Sequence, residues 1–148
     1  MRSSFIFTLS VMSAIACNPA LRGGTYTIVV TEVVEDSCTM GEGLDSYEDE
    51  GSLWWEDGET MVLATTSGEW WWHWDGEVFS YDQTTLETWA DDCEATWQED
   101  FSGSIVDANH MIYNQQLELD LTGFCAGFDK SMLPCTLDVD YAAERTGD

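Results

Sequence analysis

Positive charge is almost missing from this chain of 148 residues, which has four Lys and Arg against 29 Asp and Glu. A surface of one sign repels phosphate backbones, which excludes nucleic-acid binding. It also repels anionic lipid headgroups, so the polypeptide itself would not adhere to a membrane. Histidine is scarce: His73 and His110 are the only two, and neither has a spaced partner for a zinc site. Cys38, Cys93, Cys125 and Cys135 lack CxxC spacing, so disulfides are expected ahead of metal. No nucleophile elbow or phosphate loop occurs. Two carboxylates could in principle hydrolyse a glycoside, but with 29 present no pair stands out. The expectation is a protein that is not an enzyme and carries no cofactor. Nowhere is there the run of about twenty apolar residues that a helix needs to cross a bilayer core of roughly 30 Å. Beyond residue 16 there is no helical periodicity either.

What is present begins with residues 1–16, MRSSFIFTLSVMSAIA, which place one positive charge ahead of an apolar stretch and contain no acidic residue. That is the order of a secretory signal peptide. Ala14 and Ala16 satisfy the small-x-small rule of ordinary signal peptidase. Ala14-Ile15-Ala16-Cys17 also resembles the lipobox of bacterial lipoproteins, with Ala14 where that family usually has Leu. Five cysteines are an odd number, and taking Cys17 as a lipidation site leaves four, which suits disulfides in an oxidising compartment. The resemblance implies a thioether diacylglycerol on Cys17 and a fatty-acylated amino group, palmitate in kind, and more than one chain is what stable anchoring requires. Asn18 rather than Asp after the Cys points to the outer membrane. The alternative is a periplasmic or secreted protein with an unpaired thiol.

Removing residues 1–16 leaves 132 residues, one domain's worth, in which three cations face 29 carboxylates for a formal charge of −26. Interleaved aromatic and β-branched residues argue against disorder. The acidity reads as a solvated shell, or more sharply as divalent-cation binding. An EF-hand register starting at Asp45 would put Glu56 on position 12, but Tyr47 and Glu50 stand at its third and sixth positions and no flanking helices are visible. No metal ligand is therefore assigned.

Residues 17–23, with Pro19 near the start and Gly23-Gly24 at the end, read as a lipidated tether that reaches at most about 24 Å. From residue 24 to 148 a β-barrel domain is expected. Short β-prone runs are separated by turn pairs: 25–35, 61–66, 69–74, 77–82, 85–90, 93–107, 110–122 and 135–145. Ser67-Gly68 and Asp75-Gly76 supply hairpin turns, and Gly103 and Asn114 are candidate bulges. Leu117 to Leu121 alternates apolar with acidic residues, as does the run from Leu137 to Tyr141. One face is then buried and the other wet. The fold class is all-β, an antiparallel meander of eight strands closed as a barrel or packed as a sandwich. The stretch 39–57, acidic but holding Leu53, Trp54 and Trp55, is either a lid or an extra hairpin strand.

Strand parity puts Cys38, Cys93, Cys125 and Cys135 at one end. Around the turn at Ala108-Asn109, Cys93 falls opposite position 124, and closure brings strand 1 beside strand 8. The preferred bridges are Cys93–Cys125 and Cys38–Cys135, with Cys38–Cys93 plus Cys125–Cys135 as the alternative.

Eight tryptophans are the unusual feature, four of them in Trp70-Trp71-Trp72-His73-Trp74. On a strand Trp70, Trp72 and Trp74 share one face and can fill a core, leaving Trp71 for the surface or a pocket rim. Gly24-Thr25-Tyr26 on the first strand and Arg145 on the last resemble the lipocalin (calycin) arrangement, in which a G-x-W lies under a cation from the closing strand. The resemblance implies a ligand-holding barrel. The functional expectation is a lipid-anchored envelope binding protein that holds a small apolar or saccharide ligand near Trp54, Trp55 and Trp71. The alternative is a structural or interaction lipoprotein without a pocket, associated with calcium.

Overall fold

Side chains that alternate between inside and outside, strand after strand, need a closed surface to have an inside. The computed structural model describes residues 20–127 and 130–148, so the expected signal peptide, Cys17 and Pro19 lie outside the described residues. Eight strands run in chain order around a closed barrel: β1 (Gly24–Asp36), β2 (Glu48–Trp55), β3 (Thr60–Thr65), β4 (Gly68–Trp74), β5 (Phe79–Ala90), β6 (Cys93–Asp107), β7 (His110–Gly123) and β8 (Cys135–Gly147). All neighbours are antiparallel, and β1 pairs with both β2 and β8. The all-β meander is thus closed as a barrel rather than stacked as a sandwich.

Two expected boundaries move, and the count stays at eight. The runs 77–82 and 85–90 merge into β5, because Gln83 and Thr84 continue the pairing with Glu99 and Gln98 without a break. The stretch 39–57 divides between both readings offered for it. Residues 37–47, with a 3-10 turn at Leu44–Ser46, cross the upper rim, and Glu48–Trp55 is a strand. Its carboxylates hid it: Glu48 and Glu50 face water while Gly51 and Leu53 are buried, so the alternation is that of a half-buried strand. The calcium register from Asp45 is consumed by this turn and strand.

The bulges expected at Gly103 and Asn114 are not there. Gly103 pairs with Tyr113 and Ser102 with Asn114 in regular register, and the irregularity falls between Ile105 and Asp107. Gly103 is small for packing reasons, since a Cβ would stand 2.4 Å from the Phe79 ring and 2.4 Å from the Ile112 carbonyl oxygen. Asn114 faces outward, where its amide donates to Asp138 at 2.6 Å and Asp140 at 2.8 Å.

The disulfides are Cys38–Cys135 and Cys93–Cys125, the preferred pairing, and all four cysteines lie at the upper end. The irregularity near Ile105 shifts the β6–β7 ladder by one, so Cys93 pairs with Gly123 and Cys125 follows two residues on. Around the bridges Ala95, Leu119 and Leu121 form a small upper core. The main core lies below, built from Tyr26, Ile28, Leu53, Met61, Leu63, Trp72, Phe79, Phe101 and Met111 among others.

The lower end is sealed by the residues before β1. Leu21, 1% exposed, plugs it, and the Arg22 N–H donates to the Ala108 carbonyl at 2.9 Å. The tether expected over 17–23 is therefore already part of the barrel from Leu21 onward. Tyr26 and Arg145 are direct cross-strand partners. The Tyr26 hydroxyl donates to the Arg22 carbonyl at 2.5 Å, and the Arg145 guanidinium donates to the Gly23 carbonyl at 2.9 Å and to the Asp148 carboxylate. Gly24 is required here: its φ is +141°, and a Cβ would stand 2.2 Å from the Gly147 carbonyl oxygen.

The wall is uneven. β2, β3 and β4 have 8, 6 and 7 residues, whereas β1 and β5 to β8 have 12 to 15 and rise above them. β4 and β5 pair only at His73 with Ser80 and Trp74 with Phe79. Beyond that point they part, and β5 from Tyr81 to Ala90 has no described strand on its free side.

Candidate functional site

Inward-facing residues of an eight-stranded barrel either fill it or leave room for one small ligand. Here they leave a cavity of about 260 Å³ above the main core. Its floor is Trp72, stacked on Phe79 with ring centroids 4.8 Å apart and planes 7° from parallel. Trp70 leans on Phe101 at 5.9 Å, and Tyr113 stacks on Tyr141 at 4.8 Å, so the side walls are also rings. Aromatic pairs in these offset and tilted arrangements hold each other in place. Aliphatic Ile28, Leu63 and Leu137 complete the lining.

Met40, Leu44 and Tyr47 of the 37–47 segment close the cavity from above. This lid is fastened at several points. The Asp36 carboxylate accepts the N–H groups of Met40 at 2.9 Å and Gly41 at 2.7 Å. Ser37 and Thr136 exchange hydrogen bonds of 2.9 and 2.8 Å, beside the Cys38–Cys135 bridge. Tyr47 meets Tyr141 edge-on at 6.4 Å. Beside the lid, Trp89, Trp97, Met132 and Leu133 help to line a second cleft of about 350 Å³. Met40 belongs to the lining of both spaces.

Polar groups of the cavity form two short chains. Tyr141 donates to the Gln115 carbonyl oxygen at 3.0 Å, and the Gln115 amide donates to Glu99 at 2.7 Å. Burial pushes the Glu99 carboxyl up, against the lowering effect of Gln115. On the other side the Tyr47 hydroxyl donates to Asp49 at 3.0 Å, as does Thr66 at 2.9 Å. Burial pushes Asp49 up as well, but these hydrogen bonds and the Glu50 N–H outweigh it and hold the group below its ordinary value. Burial raises Tyr141 to about 12 and Tyr113 well above the usual range, so both hydroxyls are neutral donors at physiological pH.

One group in the cavity wall is left over. Trp72 is 0% exposed, and its Nε1–H has no hydrogen-bond partner. A buried donor without an acceptor costs about 1–3 kcal/mol.

Trp54, Trp55 and Trp71, the expected ligand residues, do not converge. Trp54 and Trp71 are both cross-strand partners of Val62, on the outside of the barrel, and flank that buried side chain. Their indoles donate to Glu56 at 3.4 Å and Glu69 at 2.7 Å. Trp55 points inward near the lower seal, donates to the Leu21 carbonyl at 2.7 Å and meets Trp74 edge-on. The cavity instead uses Trp70 and Trp72, which sequence parity had assigned to the core, together with Phe101, Tyr113, Gln115 and Tyr141. One signal could have found it. Counting by two from Cys93 puts Glu99 on the inward face of β6, a carboxylate where an apolar residue is expected.

Among the described residues no group of three or more His, Cys, Asp or Glu is placed to hold a metal ion. Comparison with known proteins returns no matching family model, no matching curated sequence and no matching solved structure. Function is therefore argued from the cavity itself.

Proposed function

We propose that the chain is an exported binding protein, held on the outer membrane through lipid on Cys17, that carries one small ligand in the barrel cavity under the 37–47 lid. The observation that carries this reading is the aromatic-lined cavity left inside a closed barrel. An eight-stranded barrel whose inward side chains do not fill it has room for one small ligand. At about 260 Å³ the cavity is below the roughly 300–1,000 Å³ of drug-sized sites, which selects for a compact guest. Its Tyr47, Gln115 and Tyr141 side chains already have hydrogen-bond partners in the protein, so an apolar-bodied guest suits it better than a saccharide rich in hydroxyls. Met40, shared by cavity and upper cleft, marks the way in.

Two disulfides are in keeping with an oxidising compartment outside the cytoplasm. Because Leu21 is seated in the lower end, lipid on Cys17 would join the barrel through four residues, about 14 Å at most, at the end opposite the lid. The cavity mouth then faces away from the membrane.

Tryptophan fluorescence titrated with a library of compact apolar ligands tests the binding role, with Thr65→Phe as the variant that fills the cavity from its rim. Wild type should show saturable quenching that the variant loses. No response from wild type, together with a more stable Thr65→Phe, would mean that the cavity is a packing defect. Intact mass of the membrane-extracted chain tests the anchor: it should begin at Cys17 and carry a diacylglycerol, and Cys17→Ser should leave the membrane fraction.

A further inference from the structure

The chemistry of the cavity narrows the class of guest, given the binding role proposed above. We infer that the ligand is a compact organic ammonium ion that also carries a hydrogen-bond acceptor.

Four observations meet on this class. Trp70, Tyr113, Tyr141 and Tyr47 all line the cavity, and the quadrupole of an aromatic ring attracts a cation placed over its face. Their mutual stacking and edge contacts fix them before any ligand arrives. Behind Gln115, which lines the cavity, stands Glu99, inward on β6 and, among the described residues, hydrogen-bonded to the Gln115 amide only, at 2.7 Å. A carboxylate placed inside a barrel with a single amide donor has capacity to spare for a positive partner. The cavity lining contains no Lys, Arg or His, so an anionic guest would meet no countercharge there and would have to cross the field of 29 carboxylates to enter. That same field concentrates cations at the mouth. Finally, the Trp72 N–H buried in the cavity floor has no acceptor among the described residues, and a hydroxyl or carbonyl close to the ammonium can supply one when the floor ring shifts toward the guest.

A neutral apolar guest would satisfy the ring walls but would make no use of Glu99. The decisive comparison is therefore between a cation and its uncharged isostere. Choline serves as the probe, against the alcohol in which a tert-butyl group replaces trimethylammonium, with phenol as a neutral aromatic control. All three are titrated into the full mature chain with its disulfides intact, at physiological salt, by calorimetry and tryptophan fluorescence. Choline should bind about tenfold or more tightly than its isostere. Glu99→Gln, which keeps the shape and the bond to Gln115, should weaken choline severalfold and leave the isostere unchanged. Trp70→Leu should weaken choline without Glu99 being touched, and circular dichroism establishes that each variant is folded. If the isostere or phenol binds as tightly as choline, the ammonium class is wrong while the cavity remains a binding site. If none of the three binds, the ammonium class is wrong, and the binding role falls with it when the ligand library also leaves wild-type fluorescence unchanged.

Discussion

At the lower turns, single aspartates perform one task three times. Asp57 accepts the N–H groups of Glu59 and Thr60 at 2.8 and 2.7 Å, and Asp75 those of Glu77 and Val78 at 2.8 and 2.7 Å. Asp107 accepts the Asn109 N–H at 2.7 Å, a turn device natural to Asp. These bonds hold all three carboxyls below the ordinary range. Asp107 differs in facing His110, whose Nδ1 lies 2.7 Å from it while Nε2 lies 3.4 Å from Glu144. The Asp107 bond raises His110 above its usual value. The signs of the two shifts define a window. Asp107 stabilises the fold above its unfolded value of about 3.9, and that contribution is lost as pH falls through its lowered folded value. His110 stabilises fully below about 6.5, and that contribution is lost as pH rises through its raised folded value. Melting temperature against pH should therefore separate wild type from His110→Gln most between about pH 4 and 6.5, with the curves converging at alkaline pH. Parallel curves across that range would show that the pair does not act.

The element that most needs explaining is β5. From Tyr81 to Ala90 its free side meets no described strand, and such an edge invites pairing with another chain. Its residues counter this with charge: Asp82 and Glu87 are exposed, and Glu87 also accepts the indole N–H groups of Trp89 at 3.0 Å and Trp97 at 3.3 Å. Leu86, 75% exposed, is the most exposed large apolar residue on that edge. Replacing Asp82 and Glu87 together with Val should turn the edge into an adhesive strand, seen as concentration-dependent oligomers in size-exclusion chromatography. A double variant that stays monomeric at millimolar concentration would place the protection in the twist of the edge instead. The merging of two expected runs into β5 belongs to this scale too. Gln83 and Thr84 look like a break by composition, yet each has a partner in β6, and pairing outweighs local preference.

Across the whole molecule the bridges and the lower seal work at opposite ends. Cys38–Cys135 joins residues 97 apart and closes the lid connection onto β8, while Cys93–Cys125 spans 32. Chain-entropy arguments assign about 4.7 kcal/mol to the first and about 3.7 kcal/mol to the second. Cys38→Ser with Cys135→Ser should lower the melting temperature by roughly 10 °C or more and, by loosening the lid, speed ligand exchange; loss of Cys93–Cys125 should cost stability with less effect on exchange. Equal effects of both on exchange would remove the lid from the mechanism. The formal charge of −25 acts at this scale as well, keeping copies apart and drawing cations to the open end.

The all-β class and an eight-strand meander were legible in the sequence, and parity favoured the cysteine pairing found while leaving a second pairing and a sandwich open, because strand alternation has a period of two and parity propagates along a meander. Even the misread boundaries left parity intact: one expected strand too many in β5 offset the strand hidden in 48–55. The exported, lipid-anchored function proposed above rests on residues 1–17 of the sequence. Only the tertiary structure decided which tryptophans share a space. Trp54 and Trp71 stand outside and Trp55 stands at the lower seal, whereas Trp72 meets Phe79, Phe101 and Tyr113 from three other strands. Alternation tells in from out along one strand, but the height of a residue in the barrel depends on registers summed around the closed wall. A cavity exists where those heights coincide, and no local stretch of chain carries that sum.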